Sequence, residues 1–306
     1  MHISVLLNES IDALNIKEDG TYVDCTLGYA GHSSEILKRI TRGCLFAFDQ
    51  DDMAISYSND KLSSIGDNFE IIKSNFAFLK EELNKRNITE VDGIVFDLGV
   101  SSPQLDIADR GFSYHNDAKL DMRMDTNKNF SAYNVVNEYS YEELVRVIRD
   151  YGEEKYASSI AKNIIKRREQ KNIETTLELV DIIRNSMPVR ATMGSHPARK
   201  TFQAIRIEVN NELEVLKIAL ENALDIIKVG GRVSVITFHS LEDRIVKEMF
   251  KKYSEVDKNL SKLPFVPDEY LPKYKVVANI TPGDEELEEN NRARSSRLRV
   301  IERIKD

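Results

Sequence analysis

Asp97 opens the segment Asp97-Leu98-Gly99-Val100-Ser101-Ser102-Pro103-Gln104, directly after the apolar run Val91 to Phe96. A polar, proline-containing loop at a strand end is a place to grip an amino nitrogen for alkylation. An exocyclic amine on a heteroaromatic ring is a poor nucleophile, because its lone pair is delocalised into the ring. A carboxylate or backbone carbonyls aimed at its N–H groups help to localise that pair. Holding it in line with an electrophilic methyl group supplies much of the remaining acceleration. Asp97, Ser101, Ser102 and Pro103 are therefore the candidate catalytic residues. The alternative is a plain strand-end turn that uses Ser and Pro for geometry. A serine nucleophile fits less well, since Gly99-Val100-Ser101-Ser102-Pro103 is not the G-x-S-x-G elbow.

A second group lies upstream, in Asp24-Cys25-Thr26-Leu27-Gly28-Tyr29-Ala30-Gly31-His32. Its two glycines permit a tight turn and close approach of a ligand. The pattern is neither G-x-G-x-x-G nor a Walker A loop, so a phosphate cradle is weakly supported. Asp49 follows Gly28 by 21 residues, the position at which a doubly wound fold places an acid on ribose hydroxyls. A glycine turn and a ribose acid without a pyrophosphate signature suit S-adenosylmethionine better than a nicotinamide dinucleotide. The five histidines, His2, His32, His115, His196 and His239, show no H-E-x-x-H spacing, and Cys25 and Cys44 cannot fill a Cys-rich zinc site. No metal is expected.

These residues need strand ends to hold them. Strands are predicted over Thr21–Leu27, Cys44–Phe48, Phe69–Ile72 and Val91–Phe96, with helices over 32–40, 52–57 and 76–83. Apolar strands alternating with helices imply βαβ units, a parallel sheet buried on both faces and, with right-handed crossovers, a doubly wound arrangement. Gly28, Asp49, Asn75 and Asp97 all follow strand ends, where such sheets bind ligands. From about 106 to 200 no buried strand is evident. Helices are expected over 141–150, 153–168 and 177–184, the last behind a capping box, Thr175-Thr176-Leu177-Glu178. A long helix over 201–228 precedes a strand at 232–238, a helix at 241–251 and a closing strand pair, 275–280 and 297–304. The economical division is an α/β domain of residues 1–105 plus 207–306, interrupted by a mostly helical insertion, 106–206.

The chain has 306 residues, 41% of them hydrophobic and 31% charged, enough to bury a core without disulfides. No apolar run approaches a membrane span. Met1-His2-Ile3-Ser4 lacks the basic region of a secretion signal, so a cytoplasmic location is expected. With 43 Lys plus Arg against 51 Asp plus Glu the net charge is −8, which speaks against a coat of positive charge that grips any nucleic acid. Fields act locally at physiological salt, so a local basic site remains open. Between Arg184 and Arg206 lie Arg190, Arg199 and Lys200 with no Asp or Glu among them. Arg190, Arg199, Lys200 and Arg206 are the candidate RNA contacts. Two further basic clusters, Lys162 to Lys171 and Arg292 to Arg299, admit a solvated face or a half-buried strand equally well.

Taken together, the motifs resemble the bacterial ribosomal small-subunit RNA methyltransferase H family. The resemblance runs through His2 to Glu9, the turn at Gly28, Asp97 to Asp106, Arg110-Gly111-Phe112-Ser113-Tyr114, Leu120 to Asp125 and Tyr151-Gly152-Glu153-Glu154. It continues through His196 to Arg206, Phe238-His239-Ser240-Leu241-Glu242-Asp243-Arg244 and Arg292 to Arg299, in family order over nearly the whole chain. Departures are mild: Ala30 stands in a turn usually richer in glycine, and Lys200 where a Thr-Arg pair is usual.

The resemblance implies a class I S-adenosylmethionine-dependent methyltransferase fold with an inserted helical domain. It also implies N4-methylation of a cytidine in the decoding region of 16S rRNA, within the 30S subunit. Cofactor positions carry over to Ala30, Gly31, His32, Asp49, Phe76, Asp97 and Gln104. Ala30 to His32 would line the methionine end, Asp49 take the ribose hydroxyls and Phe76 pack on adenine. Asp97 would meet the amino-acid portion or the target amine, and Gln104 border both ligands. Two alternatives stay open: an S-adenosylmethionine-binding ribosome assembly factor, and an amine methyltransferase with another substrate. The oligomeric state is left open, a homodimer included.

Overall fold

The computed structural model describes residues 4–306 apart from 102–103, 106, 258 and 263–264 and the side chains of 261 and 291. It falls into two compact units, Met1–Gly99 with Leu213–Asp306, and Val100–Glu212.

The first unit is built on seven strands: β1 (Thr21–Asp24), β2 (Cys44–Asp49), β3 (Phe69–Lys73), β4 (Val91–Asp97), β5 (Ile227–Thr237), β6 (Tyr274–Ile280) and β7 (Arg297–Arg303). Their order is β3-β2-β1-β4-β5-β7-β6. The pairs from β3 through β5 are parallel, while β7 runs antiparallel to both β5 and β6. This is a Rossmann-like α/β sheet whose order reverses between β1 and β4.

The central strands β1, β2 and β4 are mostly apolar because both faces of the sheet are covered there. Side chains alternate across a sheet, and here Val23, Phe46, Phe48, Ile94 and Phe96 enter one core while Tyr22, Leu45, Ala47 and Val95 enter the other. The first core is closed by α4 (Leu79–Asn84), α10 (Glu212–Ile226) and α11 (Ser240–Ser254). The second is closed by α1 (Leu7–Ala13), α2 (Gly31–Arg39) and α3 (Asp52–Ser63). Gly93 lets β4 pass the Tyr22 ring, since a Cβ there would come within 2.7 Å of it.

The second unit holds α5 (Ala132–Glu138), α6 (Tyr141–Asp150), α7 (Ala157–Arg168), α8 (Thr176–Asn185) and α9 (Arg199–Asn210) around one apolar core. Capping boxes start α5, α6 and α8, and that of α8 is the expected Thr175–Glu178 pair. Gly152 marks where α6 and α9 come close. A Cβ there would meet the Ile148 and Lys200 carbonyl oxygens at 2.6 and 2.7 Å.

Two expectations need correction. The helix expected over 201–228 is two helices, broken at Asn211, which takes φ 52° and caps α9. Ile227 and Lys228 already belong to β5. The helix expected from Glu153 begins at Ala157, because Glu153 sits at φ 48°. The acidic segment around Glu285–Glu289 is a helix, α12 (Asp284–Glu289), whose Glu286 accepts a 2.7 Å hydrogen bond from the Leu6 amide.

Candidate active site

The carboxyl ends of β1 and β4 lie at the point where strand order reverses, the position at which open α/β sheets hold ligands. Asp24 ends β1 and Asp97 ends β4. Asp24 is 1% exposed and fully engaged. It accepts hydrogen bonds from Ser33 Oγ at 2.6 Å and the Thr26 amide at 3.0 Å. The Thr26 hydroxyl leans toward Asp24 and itself accepts the Asp97 amide at 2.7 Å. The two strand ends are thus locked through one threonine.

Asp97 is held differently. Its side chain keeps a partial exposure, 23%, yet Oδ1 is buried with no hydrogen-bond partner among the described residues. Oδ2 lies 3.7 Å from Nδ1 of the buried His32, beyond hydrogen-bond range. Burial pushes the carboxyl well above the usual carboxylate range, and the charges of Asp24 and Glu242 push the same way. Glu242, 3% exposed, accepts the Phe238 amide at 2.8 Å and closes the capping box of α11 with His239. Arg299 fixes that helix start by gripping Asp243 with two hydrogen bonds of 2.8 and 3.0 Å.

The glycine turn is rigid. Gly28 (φ 47°) and Ala30 (φ 55°) are both left-handed, and Ala30 caps α2. The carbonyls of Gly28 and Tyr29 accept Ser58 Oγ at 2.7 Å and Lys61 Nζ at 2.9 Å. A Cβ on Gly31 would fall 1.9 Å from Ser4 Oγ, so a larger residue there would require Ser4 to move. Asp49, at the end of β2, accepts the Gly28, Gln50 and Asp51 amides at 2.9, 2.8 and 2.9 Å. Burial outweighs those bonds and pushes its carboxyl up to about 6. Phe76 opens the 3₁₀ turn Phe76–Phe78 after β3, edge-on to Phe96 with ring centroids 5.7 Å apart.

Ala30, Gly31, His32, Asp49, Phe76 and Asp97 thus all stand at or just after the carboxyl ends of β1 to β4, in the first unit. Ser101 and Gln104 belong to the second, where the buried Gln104 accepts the Ser101 amide at 3.1 Å. Ser102 and Pro103 lie outside the described residues. Of the basic candidates, Arg190 and Arg199 are exposed. Lys200 donates to the Glu153 carbonyl at 2.8 Å, and Arg206 forms two 2.8 Å bonds to Glu212. Sequence reasoning passed over Asp24, Thr26 and Glu242 as site residues. Asp24 and Thr26 sat unweighted in the glycine-turn segment, whereas nothing local ties Glu242 to Asp97.

A buried carboxylate cluster with an open acceptor suits a cationic group, and an acid after β2 suits a diol. The MraW methylase family matches residues 1–304. The chain belongs to this family. It is a methylase with S-adenosylmethionine as cofactor, on the class I methyltransferase fold. Similar solved structures include an assigned rRNA methylase from Clostridium thermocellum, with 16% identity and TM-score 0.48, over 99% of this chain and 100% of that one. An rRNA methylase from Streptococcus thermophilus has 12% identity and TM-score 0.46, over 100% of both chains. An assigned methyltransferase from Streptococcus mutans, in complex with SAH, has 13% identity and TM-score 0.43, over 99% of both chains. Among the described residues no helix is long and apolar enough to cross a membrane.

Proposed function

We propose that this methylase transfers a methyl group to the N4 amine of a cytidine in the decoding region of 16S rRNA, on the 30S subunit. The observation that carries the reading is Asp97, a strand-end acid with one buried oxygen that has no hydrogen-bond partner among the described residues. That oxygen suits an amine N–H, or the ammonium end of the cofactor. Bound S-adenosylmethionine supplies the electrophilic methyl group. Asp97 orients the amine and localises its lone pair, with Ser101, Ser102 and Pro103 as further acceptors in the following loop. Ala30, Gly31 and His32 line the methionine end of the cofactor site, Asp49 takes the ribose hydroxyls, Phe76 borders adenine and Gln104 borders both ligands.

Arg190 and Arg199 are the proposed phosphate contacts. Lys200 and Arg206 also belong to the acid-free stretch, but each holds a partner of its own chain. The cytidine must leave its stack to reach a strand-end acid. In the test, tritiated S-adenosylmethionine is incubated with 30S subunits from cells lacking the enzyme. Transfer to 16S rRNA by the wild type, reduced at least about 100-fold in Asp97→Ala, is expected. Near-normal transfer by Asp97→Ala removes the catalytic assignment, and no transfer by the wild type removes the substrate.

A further inference from the structure

Two motifs of the second unit play no part in cofactor chemistry, Arg110-Gly111-Phe112-Ser113-Tyr114 and the stretch from His196. They meet in space. The Tyr114 and His196 rings stack with centroids 4.4 Å apart at 17°. His115 lies 4.6 Å from Tyr114, tilted, and 5.2 Å from His196, edge-on. At its inner end the stack is anchored edge-on to Phe202, which is 3% exposed and part of the core. At its outer end His115 is exposed, while Tyr114 and His196 are half-buried.

Packing alone would be served by aliphatic side chains, which carry no polar ring atoms to solvate. The surroundings point outward as well. Val189 and Met193 are 81% and 76% exposed, and Arg190 lies between them in the sequence. Arg199 opens α9 three residues after His196. Burial, His115 and Arg184 all lower the His196 pKa. That ring is therefore neutral at physiological pH and offers a π-face in place of a charge.

We infer that Tyr114, His115 and His196 form a base-stacking platform for single-stranded RNA, with Arg190 and Arg199 tracking its phosphates. The inference rests on the RNA-substrate reading above and names where the strand is held. The physical logic is that of sequence-tolerant single-strand binding. Every base has a π-face, so aromatic rings supply affinity and cations on the same surface follow the backbone. A platform anchored on the core is pre-organised, so little ordering accompanies binding. Two exposed arginines of an acid-free stretch add positive charge locally while the chain as a whole stays at −8.

The test uses the full-length protein and a fluorescein-labelled, cytidine-containing single-stranded RNA of about 12 nucleotides, read by anisotropy across a salt series. His115→Ala with His196→Ala should weaken binding about tenfold and leave the salt slope unchanged. His196→Phe, which keeps a ring, should retain wild-type affinity. Arg190→Gln with Arg199→Gln should reduce the slope by roughly 0.7 per cation removed. Cofactor affinity, measured by calorimetry, should be unchanged in all variants, and an unchanged helical circular-dichroism melt confirms that they fold.

Wild-type RNA affinity in the double-alanine variant overturns the inference and leaves the cluster as packing or a protein contact. Loss of affinity in His196→Phe equal to that in the alanine variant overturns it too, because ring stacking would then not be the cause. Failure of the underlying reading is separately visible, as absence of methyl transfer to 30S subunits by the wild type.

Discussion

Asp97 works under electrostatic pressure. Burial and two neighbouring acids raise its pKa, so in the ligand-free protein the ionised form is unfavourable. The linked stability follows. Asp97 contributes stability that is present below the ordinary carboxylate pKa of about 4 and is lost as pH rises through its raised value in the folded state. Asp97→Asn should therefore melt a few degrees higher than the wild type at pH 7.5 while losing methyl transfer. A lower melting temperature would contradict the strain argument. Asp49 gives a second pH signature. With its carboxyl at about 6, it would accept the proposed ribose hydroxyls best above that pH. Calorimetry should show S-adenosylmethionine binding weakening as pH falls from 7.5 to 5, by up to about tenfold per unit below 6. Asp49→Asn should bind about tenfold more weakly at pH 7.5 and lose this dependence. The positions of both acids were legible in the sequence, because a strand end followed by a turn places a side chain at the carboxyl edge of the sheet. The neighbours that tune Asp97 were not: Glu242 is 145 positions away in sequence and reaches it only through the pairing of β4 with β5.

Elements were legible where local chemistry agrees with the fold. β1 to β4 read as strands because their apolar residues enter the layers on both faces of the sheet, and the Thr175–Glu178 box announces α8 with two reciprocal bonds. The break between α9 and α10 was hidden, since Asn211 reaches a left-handed conformation without the Gly or Pro that usually signals it. Arg206 and Glu212 straddle the break and stabilise it by a bidentate pair. Helix α1 was hidden as well. It follows a left-handed Leu6 that carries no capping side chain, and Glu286 from α12 accepts the Leu6 amide instead. Two substitutions test element positioning. Gly152→Ala forces a Cβ against two backbone oxygens and should cost about 2 kcal/mol or more in urea unfolding, with an unchanged melt excluding the close α6–α9 approach. Arg299→Ala should destabilise by about 3 kcal/mol, because Asp243 stays partly buried without its partner. It should lower transfer more than cofactor affinity, since α11 carries Glu242.

At the scale of the whole molecule, the charge of −8 and the basic stretch act together. Net negative charge suppresses indiscriminate nucleic-acid binding, while the proposed contacts Arg190 and Arg199 would bind where the proposed ring stacking adds to charge. Arg190→Glu with Arg199→Glu should raise the KM for 30S subunits at least about tenfold and leave cofactor affinity unchanged; an unchanged KM would remove these contacts. The sheet order places the acids of β1 and β4 side by side, and the family match over residues 1–304 makes the chain a methylase. The base and atom that receive the methyl group are the central claim. They are tested most directly by incubating 30S subunits from cells lacking the enzyme with trideuteromethyl-labelled S-adenosylmethionine, digesting the 16S rRNA to nucleosides and identifying the labelled one by mass spectrometry. The account predicts a single labelled nucleoside, N4-methylcytidine, carrying the label on the exocyclic nitrogen. Label on any other base, on a ring carbon or on ribose would contradict it.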